Sequence, residues 1–76
     1  MFEKYRLLQI TKNIEGGEAQ EVVAFDTEKD MWSQFWYRCD KVGTNPATKI
    51  LEIVLFDTNG GPIRKEIIDN SRFITE

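Results

Sequence analysis

The spacing of apolar residues along this chain changes once from alternation to a helical period and then back. Thr27-Glu28-Lys29-Asp30 matches the helix-capping pattern [ST]-x-x-[DE], and a helical spacing follows it. On a helical wheel Met31, Val42, Phe35, Cys39, Trp32 and Trp36 share one arc of about 140°. Asp26, Glu28 and Asp30 stand at its start and Arg38 and Lys41 near its end, as the helix dipole favours. Gly43 falls where a C′ residue is needed, and Pro46 forbids continuation. The spacing predicts a helix over 28–42, with strand-like sequence on both sides.

Before the helix, residues 3–12 alternate loosely and 19–26 carry Val22, Val23 and Phe25. The segment 13–18 contains Gly16 and Gly17 and reads as the turn of a hairpin. After the helix, 48–57 is rich in β-formers, Asn59-Gly60-Gly61 is a turn signal, and a fourth strand opens at Pro62 and runs to about Asp69. A two-residue loop at Asn59-Gly60 sets Ile53 opposite Glu66 and Leu55 opposite Arg64. A three-residue loop at Asn59-Gly60-Gly61 sets Ile53 opposite Ile67, Leu55 opposite Lys65 and Phe56 opposite Arg64, whose stem can cover the ring. A slip of one residue exchanges the faces of a strand, and the three-residue loop with a glycine bulge is the expectation. Val23-Ala24-Phe25-Asp26-Thr27 and Val54-Leu55-Phe56-Asp57-Thr58 echo each other, and each hairpin has a Gly-Gly turn. The segment after Asp69 carries Phe73 and Ile74 and is left unassigned.

The order strand, strand, helix, strand, strand makes a single α+β domain over 1–76, with one helix packed on a four-stranded sheet. A mainly antiparallel sheet of order 2-1-3-4 is expected; the alternative pairs strands 2 and 3 in parallel. Four strands span about 19 Å, and a helix with its side chains covers about 10 Å. The strands are nevertheless apolar on both faces: strand 3 offers Ile50, Val54 and Phe56 on one side and Leu51, Ile53 and Leu55 on the other. One helix leaves the second face for a cover, and the last few residues are too few to supply it. A homodimer through that face, or a protein partner, is therefore expected.

The helix carries a second candidate surface. Trp36 lies at the edge of the apolar arc. Tyr37 lies about 170° from its centre, among Ser33, Asp40 and Lys41. Trp and Tyr are frequent interface anchors, so Trp36, Tyr37, Ser33 and Asp40 are the expected partner-binding residues.

Much chemistry is excluded by counts. The chain has no histidine and one cysteine, which removes Ser-His-Asp and Cys-His catalysis, His-ligated or Cys-rich metal sites and an internal disulfide. Asp26 and Asp57 are the best catalytic candidates, as a carboxylate pair or metal site, and order 2-1-3-4 sets their strands about 10 Å apart. A helix cap and a turn account for them better. Asp57-Thr58-Asn59-Gly60 lacks the later ligands of a calcium loop, and neither Gly-Gly pair fits a phosphate loop. Cys39 reads as a small buried hydrophobe. Lys4, Arg6 and Lys12 on strand 1, with Lys49, Arg64 and Lys65 on strands 3 and 4, raise single-stranded nucleic-acid binding as an alternative. Interleaved Glu3, Glu21, Glu52 and Glu66, and a net charge of -3, weigh against it. A signal peptide is not expected from Glu3, Lys4 and Arg6, and Ile53-Val54-Leu55-Phe56 is far too short to span a membrane. The expectation is a cytoplasmic, non-catalytic interaction module without cofactor, metal or membrane partner. Its size and acidity suit an accessory or inhibitor protein of the kind phages and mobile elements carry.

Overall fold

The computed structural model describes residues 4–70. Its elements are β1 (Tyr5–Asn13), β2 (Glu18–Phe25), α1 (Glu28–Lys41), β3 (Thr48–Phe56) and β4 (Pro62–Asp69). The sheet order is β2-β1-β3-β4 with every neighbouring pair antiparallel. This is the α+β arrangement expected above, and the parallel alternative does not form. Phe73 and Ile74 lie outside the described residues.

Thr27 starts α1. Its backbone is extended and its hydroxyl accepts a hydrogen bond from the Asp30 N–H at 3.2 Å, satisfying one of the donors that a helix start leaves unpaired. Val42 ends the helix, its N–H reaching the Arg38 carbonyl at 2.9 Å. Gly43 takes the C′ place for an unusual reason. Its backbone is not left-handed, since only Gly16 and Gly60 have positive φ among the described glycines. A Cβ there would collide with the Cys39 carbonyl oxygen and lie 2.8 Å from Ile68 Cδ1. The glycine lets the helix end settle onto the sheet.

Alternate residues of β1 and β3 point at α1. Leu7, Leu51, Ile53 and Leu55 are fully buried with Met31 and Phe35 of the helix, and Tyr5, Phe25, Trp32, Cys39, Val42 and Ile68 pack around them. Arg38 fastens the β2 side. Its guanidinium donates to Glu21 at 2.7 Å, to Gln9 at 3.0 Å and to Gln34 at 3.3 Å.

The two hairpins close with one device. The Asn13 N–H donates to the Gly17 carbonyl at 2.9 Å, while its side-chain oxygen accepts from the N–H groups of Glu15 and Gly17. The Asp57 N–H donates to the Gly61 carbonyl at 2.8 Å, while its carboxylate accepts from the N–H groups of Asn59 and Gly61. In each, the fourth residue is a glycine with positive φ, Gly16 at 93° and Gly60 at 89°, a conformation that costs glycine least. The repeated unit is Asx-x-x-Gly-Gly, not the Val-x-Phe-Asp-Thr echo, whose two copies sit on the second strand of one hairpin and the first strand of the other. Gln9 and Ile53 face each other across the central pair and each stands the same distance before its turn residue. The two hairpins are thus related by a pseudo-twofold axis through that pair, normal to the sheet.

The expected β3–β4 register does not form. Leu55 faces Arg64 and Ile53 faces Glu66, while Phe56 faces Pro62, leaving Ile63 as an extra residue on β4. The loop has three residues, but they are Thr58-Asn59-Gly60. Asp57 holds the two N–H groups that anchor the turn one residue earlier, and the bulge at Ile63 absorbs the difference. Ile68 therefore faces the helix, while Ile63, Lys65 and Ile67 face away.

Candidate interaction surfaces

One sheet face is covered by α1, and among the described residues no element covers the other, which is bare in that sense. Leu8, Ile10, Val22, Ile50, Val54, Phe56, Ile63 and Ile67 all point away from α1. Val22 is 63% exposed, Ile67 56% and Ile63 38%, while the rest are half-buried against one another. Cross-strand pairing sets Val22, Leu8, Val54 and Lys65 in one row, and Gln20, Ile10, Glu52 and Ile67 in the next. Glu52 and Lys65 pair at 3.2 Å, so the one ionic contact in these middle rows is internally neutralised. Arg6, Lys12, Glu18 and Asp69 stand toward the strand ends. A shallow hollow of about 270 Å³ lies between Arg6, Leu8, Val22 and Phe56.

The aromatic margin lies on the other side of the sheet. Trp36 and Tyr37 are 56% and 57% exposed, and Ser33 and Asp40 beside them are exposed too. Trp36 is not loose. Its ring stacks on Trp32 at 6.3 Å and meets the Phe35 ring edge-on at 4.9 Å. The Arg64 guanidinium sits 5.8 Å from the Trp36 centroid and 5.7 Å from that of Phe35, within cation–π range. The Trp32 indole N–H donates to Glu28 at 3.1 Å. The four residues chosen from the sequence thus share the outer face of α1, and the sheet separates them from the bare face. They form two surfaces, not one.

Arg64 belongs to this margin, and sequence reading missed it. The three-residue loop placed Arg64 opposite Phe56; the bulge at Ile63 turns it to the helix side instead. The same bulge exchanges Arg64 and Lys65 between the faces, leaving Arg6, Lys12 and Lys65 on the bare side. Phe56 is the single aromatic there among the described residues. A base-stacking platform is therefore poorly furnished.

Asp26 and Asp57 have structural partners. Asp26 pairs with Lys4 at 2.8 Å, and the Lys4 ammonium holds its carboxyl below the usual value by hydrogen bond and charge. Asp57 is the turn anchor described above. Among the described residues no group of three or more Cys, Asp or Glu is placed to hold a metal ion. Burial pushes the Cys39 thiol above its usual pKa; Glu66 adds to the shift and Arg64 opposes it. No described helix is long and apolar enough to cross a membrane. Comparison with known protein families, with characterised proteins and with solved structures gives no match.

Proposed function

We propose that this chain is a non-catalytic protein-interaction module that dimerises through its bare sheet face and presents the Trp36–Tyr37 margin to a partner. The observation that carries the reading is the exposure of Val22, Ile63 and Ile67 beside a continuous apolar patch on the face opposite the helix. A sheet with one solvated face is mostly polar on that side, whereas this one carries Leu8, Ile10, Val22, Ile50, Val54, Phe56, Ile63 and Ile67 among its polar residues. Four strands of about eight residues give each face a flat footprint of roughly 500 Å². Two such faces bury about 1,000 Å², the lower limit for a specific interface. A second copy satisfies this need because sheets pack face to face about 10 Å apart with their side chains interleaved. Charges at the strand ends then form a polar rim around an apolar centre, the usual anatomy of an interface. The module would serve as an accessory or inhibitor protein acting through contact.

The test is molar mass by light scattering across a range of concentrations at low and high salt. A dimer of 8.9 kDa chains that persists or tightens in salt is expected, since salting-out anions strengthen apolar burial. A monomer at every concentration overturns the self-association, and a dimer that dissociates in salt points to charge, not apolar area.

A further inference from the structure

The two edges of the sheet are unequal. β4 carries the devices that keep an edge strand from pairing: Pro62 at its start, the bulge at Ile63, and the charged run Arg64, Lys65 and Glu66. β2 carries none of these three, its charges being Glu18 and the Glu21 held by Arg38. It has no proline, lysine or arginine, and its pairing with β1 runs through eight consecutive residues without a shift. Among the described residues β1 is its only neighbour in the sheet. Because the Asn13 N–H bonds the Gly17 carbonyl, the alternation of an antiparallel ladder turns the N–H and C=O of Glu18, Gln20, Val22 and Ala24 outward.

We propose that β2 is a docking edge that takes up an extended, basic segment of a partner protein as a fifth strand. Backbone hydrogen bonds to Glu18, Gln20, Val22 and Ala24 supply the affinity, and alternate side chains the selectivity. On the bare face the incoming strand meets Val22, which asks for an apolar residue. Its ends meet Glu18 and the exposed acids bracketing the strand, Glu15 and Glu28, which ask for lysine or arginine. The edge stays open when the bare face is covered, so this proposal does not depend on the dimer.

The experiment titrates the protein with eight-residue peptides matched to the length of β2, one alternating valine and lysine, one alternating valine and glutamate. A third is the valine–lysine peptide N-methylated at alternate backbone positions. Binding is read by calorimetry and by amide hydrogen exchange. The expected result is binding of the valine–lysine peptide alone, weakened by salt, with new protection at the Gln20, Val22 and Ala24 N–H groups. Gln20→Pro removes one outward donor without touching the β1 ladder and should weaken binding about fivefold, the worth of one backbone hydrogen bond. Equal binding of the N-methylated peptide overturns the edge, as does protection confined to Leu8, Val54 or α1. Equal binding of the glutamate peptide overturns the basic partner. No binding of any peptide overturns the whole proposal, and this outcome holds even if Gln20→Pro fails to fold.

Discussion

At Gly43 the end of the helix meets the sheet with no room for a side chain. The Gly43 carbonyl accepts from the Asn70 side chain at 2.7 Å, and the space a Cβ would need is taken by the Cys39 carbonyl and Ile68. Gly43→Ala must displace the helix end or Ile68 and is expected to cost about 1–3 kcal/mol, measured as a lower urea midpoint. Gly16→Ala makes the contrast: nothing lies within 4 Å of its Cβ position, so it pays only the strain of a positive φ, about 1–2 kcal/mol. A larger loss at Gly16 than at Gly43 would mean that the close approach is not what demands the glycine. Asp26 tests a charge instead of a volume. Lys4 lowers its pKa in the folded chain, so the pair stabilises the fold above the ordinary carboxylate value, and this contribution is lost as pH falls through the lowered one. In an NMR titration Asp26 should titrate below a free aspartate, and Lys4→Gln should return it to the ordinary value. An unchanged titration in Lys4→Gln would assign the shift to another group.

At the scale of elements, the paired turns make a prediction that neither hairpin makes alone. Asn13 and Asp57 each anchor two backbone N–H groups, so Asp57→Ala should cost about 1–2 kcal/mol and Asn13→Ala a similar amount, both read by chemical denaturation. Asp57→Asn keeps the acceptor and should restore most of the loss. The helix and the faces of β1 to β3 were legible because each rests on a period: 3.6 over Met31, Phe35 and Cys39, and two over Leu51, Ile53 and Leu55; the strand order followed from the preference of small sheets for antiparallel neighbours. The β3–β4 register was not legible because it is set by a hydrogen bond. Asn59-Gly60 is a strong hairpin signal on its own, and only the Asp57 carboxylate shows that the loop starts one residue earlier. The bulge at Ile63 then hides the change by restoring the register of a two-residue loop. The candidate site followed the same division. The exposure of Trp36 and Tyr37 came from the helical wheel, whereas Arg64 came to the margin through the bulge and no period marks it.

The whole molecule places its two surfaces on opposite sides of one sheet, which makes them separable by mutation. Ile67 is 56% exposed in the single chain, so Ile67→Lys removes little packing from the fold but plants a second cation beside Lys65 on the face of the proposed dimer, where Glu52 can balance only one of them. Burying an unpaired charge there costs several kcal/mol, enough to shift self-association by orders of magnitude. The variant should therefore be a folded monomer with nearly unchanged thermal stability at low concentration. Trp36→Ala with Tyr37→Ala should do the reverse. It loses the ring contacts to Trp32 and Phe35 and the Arg64 cation–π contact, each about 0.5–1.5 kcal/mol, and so melts somewhat lower while remaining dimeric. The two variants are compared by light scattering and thermal melting under one set of conditions. If Ile67→Lys stays dimeric while the aromatic double variant becomes monomeric, the self-association runs through the helix, and the bare sheet face is left for the partner. Monomers from both variants would require a contact around the β4 edge, where Lys65 and Ile67 on one face meet Arg64 on the other.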